Sequence, residues 1–390
     1  MRDRVLIMAS PEAQNNVELL ADQLESFFDI STERVEIFGD WILVTSPDPL
    51  EFAHRAAKVP GVMKTFVGTR LPLDGSKLLE HTVSVSKKYV PHGFTFTVKV
   101  LGRGNIEDAD LSNYVTSKLV EIMHERRAIP SDSSPGVTIW VFRGDDLLFI
   151  SPLGIPGTGG VPSGLAGGCA VMFSGGVGST LAALEVNRAG FGPMLCHGLV
   201  EPASPSSLRM VALSATFVRR SVPLKDFKLH VFCLPKLQIS GSETDLHCVQ
   251  YALLAECTSM LGRKQGAVAV SAGLTSKHSN SGLIRLFAKH SNDLETIYPL
   301  LSRSSSEYAH FLPSELLKRE SYVKIEETLN CEVSCVETLF RKLHLPRSAA
   351  EAVANSVAVP LHSTSSYHQT LDGIVSALKA AGVGGVAGIQ

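Results

Sequence analysis

Residues 169–185, CAVMFSGGVGSTLAALE, constrain this chain more than any other stretch. The apolar run Ala170 to Phe173 reads as a buried strand. It leads directly into Ser174-Gly175-Gly176-Val177-Gly178-Ser179-Thr180 and then into helix-forming residues that stop at Gly190. Strand, glycine-rich turn and helix N-terminus together form a phosphate-binding geometry. Glycines let the backbone approach an anion, unpaired N–H groups point at it, and the helix dipole adds partial positive charge. Two common loops are excluded. No Gly-Lys-Ser/Thr ending is present, and Ser174-Gly175-Gly176 departs from the GxGxxG dinucleotide spacing.

The rest of the chain reads as ordinary globular protein. With 390 residues, two or three domains are expected, each able to bury a core. A composition of 44% hydrophobic and 19% charged residues excludes a disordered chain. No apolar run is long enough for a membrane span, and Met1-Arg2-Asp3-Arg4 is not followed by a signal-peptide core, so a cytoplasmic chain with no membrane partner is expected. Seven cysteines are too sparse and irregular for a disulfide framework.

A net charge of -2 gives no global signature of a nucleic-acid binder, but the distribution is uneven. Arg55 to Arg103 holds nine Lys or Arg against Asp74 and Glu80, whereas Glu12 to Glu51 holds Arg34 as its one base. Such a segment suits local phosphate contacts, and would serve equally as a solvated charged face.

Periodicity divides the chain into small α+β units followed by an α/β unit. A strand at Val5–Met8, a helix over 15–29, strands at Arg34–Phe38 and Trp41–Thr45 around Gly39-Asp40, a helix over 49–58 and a strand at Val62–Val67 give the β-α-β-β-α-β order of a ferredoxin-like module. Strands at 82–86 and 94–101, a helix over 111–127 and a hairpin of Val137–Phe142 with Leu147–Ile150 follow. Residues 154–164, GIPGTGGVPSG, read as a flexible linker. Near the C-terminus, Ala349–Val357 and Leu371–Ala381 read as two short helices, with a Gly/Ala/Val-rich tail from 382.

The SGGVGS loop resembles the PP-loop, SGGxDS, of enzymes that adenylate a substrate with ATP and release pyrophosphate. Together with Val59-Pro60-Gly61-Val62, Phe94 to Arg103, the Gly-Gly-x-Pro-x-Gly segment, Arg188-Ala189-Gly190, Leu195-Cys196-His197, Gly266 to Val270 and Tyr298-Pro299-Leu300, the chain resembles a tRNA 4-thiouridine synthase (tRNA sulfurtransferase). A divergent, archaeal-type member without a rhodanese domain is expected. The resemblance implies an α+β N-terminal half, with a ferredoxin-like module over 1–75 and a THUMP RNA-binding domain with its linker over 76–165. An α/β PP-loop domain with a parallel sheet follows over 166–345, then a helical tail over 346–390. It implies ATP and Mg²⁺ as cofactors, and as partners tRNA, a sulfur donor (a persulfide carrier or sulfide) and a homodimer.

In the implied mechanism the N-terminal units hold tRNA and the PP-loop domain adenylates a uridine carbonyl oxygen, whose AMP is then displaced by sulfur. ATP would contact Phe173, Ser174, Gly175, Gly176, Val177, Gly178, Ser179, Thr180, His197 and Gly273; tRNA phosphates would meet Lys87, Lys88, Lys99 and Arg103. Ser179 and Thr180 would serve equally as helix N-capping hydroxyls. Cys248, Cys331 and Cys335 would form a catalytic or iron–sulfur three-thiolate site, or be buried structural cysteines.

Three departures stand out. Gly178 replaces the loop Asp, Ser271-Ala272-Gly273-Leu274 replaces Thr-Gly-Glu-Ser, and the segment from Tyr298 lacks its Asp. Two other functions therefore stay open: a tRNA-binding protein with impaired adenylation, and sulfur transfer in thiamine thiazole synthesis. On the sequence alone, Gly178→Asp restores a carboxylate that could position Mg²⁺.

Overall fold

The computed structural model describes residues 4–28, 34–72, 75–102, 107–200, 204–237, 243–275, 282–302, 333–362 and 364–383. The chain forms two compact units, residues 1–162 and 163–390.

In the first unit, β1 (Arg4–Ala9) is buried from Val5 onward because it pairs on both sides, with β3 (Trp41–Val44) and β4 (Val62–Leu71). Helix α1 (Val17–Phe28) lays Val17, Leu20, Leu24 and Phe27 against Val5 and Ile7, a 3.6-residue stripe over a two-residue alternation. The β2 (Val35–Phe38) to β3 hairpin turns at Gly39, whose φ of +58° suits glycine. Asp48 caps α2 (Pro49–Ala56) by accepting from Glu51 N at 3.0 Å. This is the expected ferredoxin-like order.

The remaining strands of the unit are β5 (Thr95–Leu101), β6 (Ile129–Pro130), β7 (Val137–Arg143) and β8 (Leu148–Pro156). Strand β4 runs past the expected Val67 and pairs with β8, so all eight strands form one sheet in the order β2-β3-β1-β4-β8-β7-β5-β6. Two expectations are corrected. Residues 82–86 are not a strand but lie in helix α3 (Gly75–Tyr89). The Thr-Val-Ser-Val-Ser alternation imitates a strand, yet the buried side chains are Leu78, Thr82, Ser86 and Val90, one per helical turn. Thr82 Oγ1 donates to Leu78 O at 2.7 Å, so its hydroxyl is tolerated inside. The second partner helix, α4 (Ala109–Ile122), ends five residues early, before a left-handed Arg127.

The glycine-rich segment is also not a free linker. Gly157 N donates to Met63 O and Gly159 N to Val62 O, both at 2.8 Å, and Ser10 Oγ donates to Gly160 O at 2.6 Å. A Cβ on Gly157 would lie 2.2 Å from Val62 O, so this glycine permits a close approach rather than flexibility.

The second unit is a six-stranded sheet in the order β13-β12-β9-β10-β11-β14. Its strands are β9 (Gly168–Met172), β10 (Gly192–Val200), β11 (Lys228–Leu234), β12 (Ala267–Ala272), β13 (Glu295–Ile297) and β14 (Val357–Pro360). All neighbours are parallel except β11 and β14. Helices α5 (Val177–Arg188), α6 (Pro205–Arg219) and α11 (Tyr367–Ala380) pack one face. Helices α7 (Glu243–Lys264), α8 (Leu283–Lys289), α9 (Val333–Lys342) and α10 (Leu345–Ala354) pack the other.

Val357 belongs to the edge strand β14, not to the preceding helix, and Pro360 is accommodated because the strand is at an edge. Buried Arg219 ties this C-terminal segment down: it donates to Leu361 O at 2.7 Å and to Val222 O at 2.5 Å. Arg219→Met leaves both carbonyls without that donor and should lower stability by about 2–4 kcal/mol. Thermal melting reads the loss; an unchanged melting temperature would show that the clamp is idle.

Candidate nucleotide and nucleic-acid sites

The phosphate loop lies where the order of connections in the second sheet reverses about central β9. From central β9 the chain goes outward through β10 and β11, then returns to β12 on the other side. Ligands of such sheets bind in the crevice beyond the carboxyl ends of the strands at that reversal. The loop follows β9, Gly273 follows β12, and His197 lies on β10, so three sequence-separated candidates meet there.

Within the loop, Gly176 caps α5 and its carbonyl is fully used: Thr180 N, Thr180 Oγ1 and Ser179 Oγ donate to it at 3.1, 2.8 and 3.1 Å. Thr180 is fully buried, and because both hydroxyls donate back to the Gly176 carbonyl, neither Thr180 nor Ser179 is the N-capping acceptor expected from the sequence. Ser174 is exposed, with Oγ 3.2 Å from Ser179 Oγ and accepting from Gly176 N at 3.3 Å. By helix geometry the N–H groups of Val177, Gly178 and Ser179 have no acceptor within α5. The Phe173 and Val177 side chains are buried in the core, so only their backbones border the loop.

His197 supplies a directed acceptor. Its Nδ1 lies 2.9 Å from Phe173 O, and because a carbonyl only accepts, Nδ1 carries the proton. Burial holds the ring below its ordinary pKa, against the pull of the Phe173 carbonyl, so the imidazole is neutral at pH 7. Its Nε2 is therefore a bare acceptor, buried and without a protein partner.

Burial, and after it the charge of Lys228, likewise pushes His230 on β11 down to about 4. Both groups stay neutral in the fold while the unfolded chain takes up protons below about pH 6.5. Their contribution is thus fully present above pH 6.5 and is lost as pH falls toward 4. Melting curves should show that decline, and His230→Gln should flatten it; a decline of the same steepness in the variant would contradict the assignment.

Donors for a metal are sparse. Gly178 and Gly273 meet backbone to backbone: a Cβ on Gly178 would lie 2.7 Å from Gly273 O, and one on Gly273 would lie 2.4 Å from Gly178 C. The space of the expected loop carboxylate is filled by main chain. Among the described residues no group of three or more His, Cys, Asp or Glu is close enough to hold a metal. A protein-held Mg²⁺ does not fit these residues. The three cysteines of the expected iron–sulfur site are not brought together among the described residues: Cys248 is buried and disulfide-bonded, Cys335 is exposed on α9, and Cys331 lies outside the described residues. Burial pushes the Cys169 and Cys257 thiols up to about 12, which makes them poor nucleophiles.

On the first unit, Lys87 and Lys88 are exposed in the last turn of α3, and Lys99 on β5 stands 3.7 Å from Glu107. Arg103 lies outside the described residues. Lys64, which sequence reasoning left among nine charges, is more informative: its Nζ sits 4.0 Å from the Trp140 ring centroid. Burial, then the charge of Lys99, lowers its pKa, so two like charges share one sheet face. Lys64 borders a groove of about 430 Å³ lined also by Tyr89, Thr138, Trp140 and Leu153, with no carboxylate among its lining residues, whereas Lys99 lines a neighbouring groove beside Glu107 and Asp132. Among the described residues no helix is long and apolar enough to cross a membrane.

No family model and no curated protein matches the chain. Solved structures do. A 4-thiouridine synthetase in complex with RNA and bound ATP superposes with a TM-score of 0.70 at 14% identity, covering 92% of this chain and 99% of that one. PH1313 from Pyrococcus horikoshii Ot3 gives 0.58 at 17% identity, covering 83% and 99%. The chain has the fold of a 4-thiouridine synthetase along nearly its whole length: ferredoxin-like and THUMP elements followed by an α/β PP-loop domain.

Proposed function

We propose that this chain is an ATP-dependent tRNA sulfurtransferase. The observation that carries the proposal is the open phosphate loop at the strand reversal beside the bare His197 acceptor, on the fold of a protein solved with RNA and ATP. The uridine carbonyl oxygen attacks the α-phosphorus of ATP, and the bond to pyrophosphate breaks. Sulfide, free or delivered by a carrier, then adds to the carbon, and the C–O bond breaks with AMP carrying the oxygen away. The first step turns the carbonyl oxygen, a poor leaving group, into part of AMP, a good one; the second expels it. The loop N–H groups stabilise the charge that develops on the departing pyrophosphate, and His197 orients the nucleoside. Mg²⁺, where it acts, travels with the ATP phosphates. The test is mass spectrometry of unmodified tRNA incubated with the protein, ATP and sulfide: 4-thiouridine is expected, and unchanged uridine would refute the proposal.

RNA is held by the groove with its Lys64 and by nearby Lys99 on the same sheet face. Lys64→Ala with Lys99→Ala should flatten the salt dependence of tRNA affinity by roughly 1–2 units of slope. Trp140→Ala should weaken binding without changing the slope. A double variant with the parent slope would show the groove to be only a solvated face.

The Gly178–Gly273 contact favours a second reading, a tRNA-binding protein whose adenylation chemistry is lost. It predicts tRNA and ATP binding with no modified base.

A further inference from the structure

Ser214 holds the phosphate loop from outside. It lies in α6, fully buried and 39 residues beyond Gly175 in sequence. Hydroxyls inside helices commonly donate to the carbonyl one turn back. Thr216 does so in the same helix, to Ala212 O at 2.7 Å, and Ser259 does so in α7, to Ala255 O at 2.9 Å. Ser214 Oγ instead donates to Gly175 O at 2.5 Å. The loop also rests on Val211 of the same helix, since a Cβ on Gly175 would lie 2.9 Å from Val211 N and Cα.

A trans peptide unit is planar, with its C=O and N–H pointing in opposite directions. Fixing Gly175 O toward α6 therefore aims Gly176 N–H the other way, toward the exposed Ser174 hydroxyl at the loop mouth. Among the described residues a Cβ on Gly176 would meet only Ser174 Oγ, at 3.4 Å. Both flanking residues are glycine, so rotation of this peptide plane meets little intrinsic resistance, and an external hold must select one orientation. We infer that Ser214 is a positioning residue that sets the Gly175–Gly176 peptide, presenting Gly176 N–H to the phosphates of a bound nucleotide. The inference rests on the nucleotide-binding reading above. It adds α6 to the machinery of the site.

The test uses the full chain with Ser214→Ala and with Ser214→Cys, which keeps the size and a weak donor. Calorimetry with ATP, inorganic pyrophosphate and adenosine should show ATP and pyrophosphate weakened about ten- to a hundredfold in Ser214→Ala. Adenosine should be unaffected and Ser214→Cys should fall between. In the nucleotide-free protein, the Gly176 amide resonance should move in Ser214→Ala while amides remote from the loop stay in place. Equal weakening of ATP and adenosine, or unchanged affinity for both, would overturn the inference. Should the unmutated chain bind no ATP, the nucleotide reading fails by itself. The ligand-free Gly176 resonance then decides whether Ser214 sets the peptide: displaced, it supports the hold; unmoved, it overturns it. If Ser214→Ala fails to fold, Ser214→Cys carries both measurements.

Discussion

Gly176→Val will abolish ATP binding while leaving the second unit folded. The position is half-buried, and among the described residues the added Cβ meets nothing closer than the side-chain end of Ser174, at 3.4 Å. The isopropyl group therefore occupies the space a phosphate needs. Affinity should fall at least about a hundredfold, while stability changes by about 1 kcal/mol or less. Gly175→Val makes the control. There φ is +81°, a region valine avoids, and the Cβ would lie 2.9 Å from the Val211 backbone. That variant should lose ATP binding and roughly 2–5 kcal/mol of stability together. Calorimetry and thermal melting on both proteins separate the two effects. Full ATP affinity in Gly176→Val would place the nucleotide elsewhere.

Gly178→Asp will not restore chemistry; it will destabilise the loop. On the sequence alone this change returns a missing carboxylate. In the fold, the clash begins at Cβ, 2.7 Å from Gly273 O, before any carboxylate is reached. Gly178→Ala should therefore cost about as much as Gly178→Asp, about 1–3 kcal/mol each, as the end of β12 is pushed away from α5. ATP affinity should fall in both. The decisive comparison is between the two variants: a stable Gly178→Asp protein with raised activity beside an impaired Gly178→Ala protein would contradict the steric account.

The phosphate loop was legible because strand, glycines and helix are contiguous, and each states its own preference locally. The convergence of His197 and Gly273 on it came from the resemblance, and the parallel order of β9, β10 and β12 accounts for it physically. Long-range closeness was not legible. Gly178 reads as a lost Asp until Gly273 is found against it, and Ser214 reads as a small helical filler until its hydroxyl reaches Gly175 O. Residues 82–86 misled because Thr82 and Ser86 are polar yet fully buried, so their helical stripe carries no hydrophobic signal. Glycines in 154–164 misled in the opposite sense, since close backbone contact and flexibility ask for the same residue. Lys64 was one cation among nine until β4 and β7 brought it over Trp140.

Pyrophosphate release from ATP labelled in its γ-phosphate bears most directly on the central claim, that this fold adenylates tRNA. The expected result is release that requires the protein, Mg²⁺, ATP and unmodified tRNA together and disappears in Gly176→Val. Binding of ATP and tRNA without any tRNA-dependent pyrophosphate release would contradict it.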